Sequence, residues 1–481
     1  MNFIIFNPDE MRAESLGCYG HPVAQTPHID RLAAEGTRFD QCHIQHPVCT
    51  PSRCSFMTGW YPHVRGHRTL WHMLRPDEPN LLRYLKQAGY EVHWGGKNDL
   101  LSPESFESSV TDWHLERRST RAVKEPTSRN PYPPEDPRFY SFLYEPQTDK
   151  VEALADFAKV DGAIEYLKSK PQNPFVLYLP LTFPHCPYYA PGKWHDLIDP
   201  DSLPPLRPIV DGKPDFHNLI RKTRRLDELD DRFFRKLNAV YLGMIGVMDY
   251  LLGELLDTLE ETGYADDTAI FFFSDHGDWA GDYGLVEKWP SALDDTMTRI
   301  PFIARIPGGK ANHVVREQTE CFDLVPTVLE LAGIEPQHTH FARTLVPQLQ
   351  GASGDPERAV FAEGGYALHE PHCFEGKPKR DDNLLNPANI YYPKARLQQD
   401  HPESVCRTTM VRTPTHKLIR RVDGISELYD LENDPQELVN RYGEESFRMV
   451  QTDLEKRLLE WYIQTSDVTP FDTDPRQVPP A

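Results

Sequence analysis

"AIFFFSDHGD", residues 269–278, sets five apolar residues in a row directly before a serine, an aspartate and a histidine. A run this short and this continuously apolar reads as a strand covered on both faces, the habit of parallel sheets. In open α/β sheets the ligand sits beyond the carboxyl ends of the strands, where Asp275 and His276 fall. The same pattern recurs three times. "FIIF" (3–6) runs into Asn7, Asp9 and Glu10, "YEVHW" (90–94) into Gly95, Gly96 and Lys97, and "FVLYLPL" (175–181) into His185. Between these runs the apolar period is helical. Apolar residues recur at 151, 154, 157, 160, 164 and 167, and "YLGMIGVMDYLLGELLDTLEETG" (241–263) reads as a long helix ended by Gly263. Strands alternating with helices predict an α/β fold: a large mixed, mostly parallel sheet flanked by helices.

The composition shifts near residue 350. We divide the chain into a catalytic α/β domain at 1–350 and a smaller C-terminal α+β domain at 351–481. Within the latter, "MVRTPTHKLIRR" and "SELYDL" read as strands of a short antiparallel sheet. Two stretches lack periodicity, 102–150 and 369–405, and are expected to form the rim of a binding site.

The net charge of −21 over 481 residues argues against nucleic acid and anionic membrane as partners. The basic cluster "RKTRR" (221–225) reads as a solvated helix face. The apolar runs are too short to span a bilayer, the longest candidate being "FVLYLPL". The opening "MNFIIFNPDE" carries no basic leader, so a cytoplasmic protein is expected. Eight cysteines occur without a CxxC pair; seven are expected to be reduced, mostly buried thiols. Cys49 is the exception.

Asp9 with Glu10 and Asp275 with His276 form two ligand-bearing dipeptides at strand ends. Either alone would read as a helix or turn cap. Together, with a lysine and a histidine at two further strand ends, they predict a divalent cation, since gathered carboxylates need a positive charge. Arg53 lies one helical turn after Cys49 and can hold an anion beside it. On residue chemistry alone Cys49 is ambiguous, because a cysteine nucleophile needs a lowered pKa and a basic partner.

"CTPSRCSFMTG" (49–59) resembles the signature of the sulfatases, Cys-x-Pro-Ser-Arg followed by Thr-Gly. The resemblance extends along most of the chain. It includes "TPHIDRLAAEG" (26–36), "WGGKND" (94–99), "LTFPHCPY" (181–188), "SDHGDWAGDYGLVEK" (274–288) and "ELYDLENDPQELVN" (427–440). It implies the alkaline phosphatase-like fold and a sulfuric ester hydrolase, with Cys49 converted by a maturation enzyme to Cα-formylglycine. Asp9, Glu10, Asp275 and His276 would bind one divalent cation together with position 49. Calcium is the usual ion, and Mn2+ or Mg2+ are alternatives. Arg53 would steady the aldehyde hydrate. Lys97, His185 and Lys288 would hold sulfate oxygens, with His185 or Lys288 protonating the leaving oxygen. One departure stands out. Lys97-Asn98-Asp99-Leu100 occupies the place of a Lys-x-His or Lys-x-x-His, which leaves Asp99 or His72 as candidate base for sulfate release.

Two rival readings remain at this stage: a phosphonate monoester or phosphodiester hydrolase of the same superfamily, and an inactive sulfatase-like binding protein. Lys97 argues against the first, and intact Cys49 and Arg53 against the second. The expected substrate is a small sulfate ester, such as a sulfated mono- or oligosaccharide or an aryl sulfate. Oligomeric state is left open.

Overall fold

The computed structural model describes residues 1–367, 369–370, 374, 384–473 and 476. Parts of the irregular stretch 369–405, and Cys373, lie outside the described residues. Seven strands run through the large sheet: β1 (Asn2–Asn7), β2 (Thr37–His43), β3 (Glu91–Trp94), β4 (Phe175–Pro180), β5 (Thr268–Phe273), β6 (Phe302–Arg305) and β7 (His313–Glu320). Their order is β7-β2-β6-β5-β1-β4-β3, and the two-residue strand Arg299–Ile300 pairs with β2 off this path. β5, β1, β4 and β3 are mutually parallel, β7 is parallel to β2, and β6 runs antiparallel between β2 and β5. The sheet is therefore mixed and mostly parallel, as the apolar runs predict.

β1 is buried along its whole length, and alternate side chains enter opposite cores. Ile4 and Phe6 join the core shared with the helices Ala155–Lys168 and Asp231–Thr262. Phe3 and Ile5 join the core shared with the helices Cys49–Thr58, Leu81–Gln87 and Leu324–Leu331. Residues 151–153 form a separate turn ahead of the helix at Ala155.

The long helix begins ten residues before the expected one. Asp230 caps it by accepting the Phe233 N–H, and Gly263 ends it at φ 82°. This 32-residue helix is long and apolar enough to cross a bilayer, which corrects the expectation drawn from short runs. Most of it is buried against the sheet, so its apolarity is that of a core helix.

The C-terminal sheet has the order β8 (Val360–Gly364), β9 (Thr408–Arg412), β10 (His416–Arg421), β11 (Glu427–Asp430), all antiparallel. The "RKTRR" expectation is overturned in part. Arg221 and Arg224 are buried, because their guanidinium groups bind the Tyr283 carbonyl and the Glu287 carboxylate.

Candidate active site

The helix Cys49–Thr58 points its first residue at the carboxyl ends of β1 and β5, and all ten of its residues are buried. Cys49 Sγ lies 3.1 Å from His276 Nε2 and 3.7 Å from Asp9 Oδ1. Asp9, Cys49, Asp275 and His276 each offer a ligand atom, and these atoms lie within 4.8 Å of one another. The strand ends thus bring Asp9 and Cys49 together with Asp275 and His276, from opposite ends of the large sheet's sequence. Burial and the neighbouring Asp9 push the Cys49 thiol well up, so unmodified Cys49 is a protonated thiol.

Arg53, one turn further on, is fully buried. Its Nε donates to Asp275 Oδ2 at 3.0 Å, Nη2 to Asp9 Oδ2 at 2.9 Å and Nη1 to Asn7 Oδ1 at 3.0 Å. The guanidinium is spent on the two ligand carboxylates, a different use from the aldehyde contact that the resemblance implies. Asn7 in turn donates to the Phe273 carbonyl at 2.9 Å and ties β1 to β5. Burial opposes ionisation of Asp9, but Lys97, His185 and Arg53 outweigh it and hold the carboxyl well below its ordinary value.

Lys97 follows β3. Its ammonium pairs with Asp9, lies 2.8 Å from Asp99 Oδ2 and 3.8 Å from Cys49 Sγ. On the opposite side Lys288 Nζ lies 2.8 Å from His185 Nε2. Five predicted residues, Asp9, Cys49, Lys97, Asp275 and His276, therefore form one cluster, with Lys288 and His185 beside it.

Glu10 is the exception among the expected metal ligands. Its carboxylate lies 3.3 Å from Lys288 Nζ and 3.5 Å from His185 Nε2, outside the cation cluster. The backbone at Glu10 adopts φ 69°, in the left-handed region that non-glycine residues rarely enter. His72, the second candidate base, bonds Thr69 Oγ1 within its own loop at 2.9 Å. Among residues the sequence reading did not assign, Tyr241 donates its hydroxyl to the Glu10 carbonyl at 2.7 Å. The carboxylate of Glu287, beside Lys288, takes Arg224 at 2.8 Å and Lys394 at 2.6 Å. At the rim, Trp71 Nε1 donates to the Phe374 carbonyl at 3.4 Å, and Arg68 pairs with Glu370.

The protein-family description "Sulfatase" matches residues 1–334, more than half of the chain. The chain belongs to the sulfatase family. A second description, "N-sulphoglucosamine sulphohydrolase, C-terminal", matches residues 381–464 of this sulfatase. It is 27% identical to the multifunctional alkaline phosphatase superfamily protein PehA of Trinickia caryophylli, over 96% of this chain and 94% of that protein. It is 26% identical to an N-acetylglucosamine-6-O-sulfatase of Bacteroides thetaiotaomicron, over 98% and 88%. Its fold matches the crystal structure of the phosphonate monoester hydrolase of Agrobacterium radiobacter with a TM-score of 0.76 and 20% identity, covering 96% of each chain. The architecture is that of the alkaline phosphatase superfamily, and the protein is a sulfuric ester hydrolase.

Proposed function

We propose that this sulfatase hydrolyses a small sulfated saccharide to the free alcohol and inorganic sulfate, using a formylglycine made from Cys49 beside one divalent cation. The observation that carries the reading is the convergence of Asp9, Cys49, Asp275 and His276 in one buried group. The donor set fits a cation. His276 Nδ1 bonds the Gly277 carbonyl at 2.9 Å, which leaves Nε2 as the bare donor facing Cys49. Arg53 binds Oδ2 of both Asp9 and Asp275 and so holds the two carboxylates in place. Two carboxylates and an imidazole suit Mn2+ better than Ca2+, which prefers an all-oxygen shell.

A cation at this site would stabilise charge on the transferring group, and the hydrate of an aldehyde at position 49 would supply both a nucleophile and a way to expel sulfate. The remaining work falls to side chains. Lys97 projects beside Cys49 and is set to hold a sulfate oxygen. Lys288 and His185 form the pair that can protonate the leaving oxygen. Similarity to an N-acetylglucosamine-6-O-sulfatase supports an amino-sugar sulfate as substrate.

Similarity to PehA and to a phosphonate monoester hydrolase keeps one rival in view. One set of measurements decides between them. Peptide mass spectrometry of active protein should show loss of sulfur at position 49, and Cys49→Ala should abolish turnover. Metal analysis should find Mn2+ bound in preference to Ca2+. The kcat/KM for an aryl sulfate should exceed that for an aryl phosphonate monoester; the reverse order would overturn the sulfate assignment. Full activity with an intact thiol would overturn the formylglycine.

A further inference from the structure

Glu10 is buried beside the cation cluster without belonging to it. A glutamate at φ 69° needs constraint, and two bonds supply it. Its N–H donates to Asp275 Oδ1 at 3.1 Å, and its carbonyl accepts from the Tyr241 hydroxyl at 2.7 Å. The turn delivers the carboxylate to Lys288, 3.3 and 3.4 Å from Nζ. His185 Nδ1 bonds the Cys186 carbonyl at 2.6 Å, so Nδ1 carries the hydrogen and Nε2 accepts. The Lys288 ammonium therefore donates to Nε2 at 2.8 Å and faces Glu10 at 3.3 Å, and Glu10 Oε2 itself lies 3.5 Å from Nε2, so the three groups close a triangle. Glu10, His185 and Cys186 converge closely enough to hold a cation of their own. The ammonium of Lys288 already fills that role, and a metal there would meet its charge at close range.

We infer that Glu10 is a positioning residue, whose carboxylate locks Lys288 against His185 and ligates no metal. The inference rests on the sulfatase reading of the site. A lysine ammonium sits on a flexible four-carbon stem with many rotamers. A carboxylate and an imidazole that meet each other as well as the ammonium hold it at one corner of their triangle, and the burial of Glu10 and Lys288 spares their contact from screening by salt. When the nucleophile at position 49 bonds to sulfur, the S–O bond of the ester breaks and its electron pair stays on the alcohol oxygen. That oxygen takes its proton from the Lys288–His185 pair, which water then refills.

Glu10→Gln keeps the size of the side chain and removes the carboxyl group that faces Lys288. Metal content is measured on the full-length protein, and kcat and KM are measured for a series from 4-nitrophenyl sulfate to an alkyl sulfate. The cation should remain at one per chain. Turnover of the alkyl sulfate should fall by about 100-fold, and that of 4-nitrophenyl sulfate by less than about tenfold, because nitrophenolate leaves without a proton. Glu10→Asp should recover part of the alkyl sulfate rate. Glu10→Gln added to Lys288→Ala should cost nothing further, and Lys288→Ala alone should show the same leaving-group bias. Loss of the cation in Glu10→Gln would overturn the inference by making Glu10 a ligand. An equal fall for all leaving groups would overturn it by making the role one of general structure. A wild-type protein inactive on every sulfate ester would overturn the sulfatase reading itself, and the metal count of Glu10→Gln would still decide whether Glu10 is a ligand.

Discussion

Asp99 stands where a histidine was expected, and its surroundings favour a counter-ion over a base. Burial raises its pKa, but Lys97 and then Arg53 outweigh burial and leave the carboxyl below its ordinary value. A carboxylate held that low is a weak proton acceptor at neutral pH. Its contact with Lys97 at 2.8 Å draws the ammonium away from an incoming sulfate. We expect Asp99→Asn to lower KM, because one negative charge leaves the pocket, and to change kcat by less than about tenfold with no burst of alcohol product. A pre-steady-state burst would show that sulfate release had become slow and would return Asp99 to the role of base. Most of this site was legible because each functional residue directly follows an apolar run: Asp9 after β1, Lys97 after β3, His185 after β4, Asp275 after β5. Glu10 stands apart from the cluster that its neighbour joins. Adjacency to Asp9 suggested a shared ion, while the left-handed backbone angle at Glu10 and the contact of its carboxylate with Lys288 are invisible in the residue types.

At the scale of elements, the loop after β3 shows how tightly strand ends aim the chemistry. Gly96 lies against β4 so closely that a Cβ there would collide with the Pro180 carbonyl oxygen. That same oxygen accepts the Lys97 N–H at 3.0 Å. Gly96→Ala must therefore displace either the end of β4 or the lysine. The expected cost is about 1–3 kcal/mol of stability together with a raised KM for the sulfate ester, as read by thermal unfolding and steady-state kinetics. An unchanged KM in a destabilised variant would mean that β4 gives way and Lys97 stays. The buried strands were readable from their continuous apolarity, and the C-terminal strands from their alternation. The antiparallel insertion of β6 was not, since a buried strand of either direction has the same composition. Nor was the helix Tyr392–Asp400 inside the second irregular stretch, whose weak pattern gains its order from contacts such as Lys394 with Glu287.

Across the whole molecule, the C-terminal residues wrap the segment that continues from Lys288. Trp289 and Ser291 both donate to the Ser404 carbonyl at 2.7 Å, and Gly365 N–H donates to the Pro290 carbonyl at 2.8 Å. Asp295 takes Lys417 at 2.9 Å and Arg412 at 3.1 Å, and Lys417 also binds Glu437 at 2.6 Å. The division near residue 350 thus follows chain order, while the packing joins both parts around one acidic network. Its pH dependence has a definite sign. Burial opposes ionisation of Asp295, yet Arg412 and Lys417 hold its pKa well below the ordinary carboxylate value. A depressed folded pKa gives stability that is present above the unfolded value, about 3.9, and is lost as pH falls through the folded one. Burial keeps Glu437 above its ordinary value against the pull of Lys417, so it protonates first on acidification. Lys417→Met leaves Glu437 without its cation and Asp295 with Arg412 alone. We expect this variant to lose roughly 3–5 kcal/mol at pH 7, as for other buried pairs broken from one side. The gap from wild type should narrow as pH falls, first as Glu437 protonates and then as Asp295 does. Calorimetric scans of both proteins from pH 7 to pH 3 test this. A gap that stays constant over the range would mean that Lys417 acts by packing its stem, with no contribution from its charge.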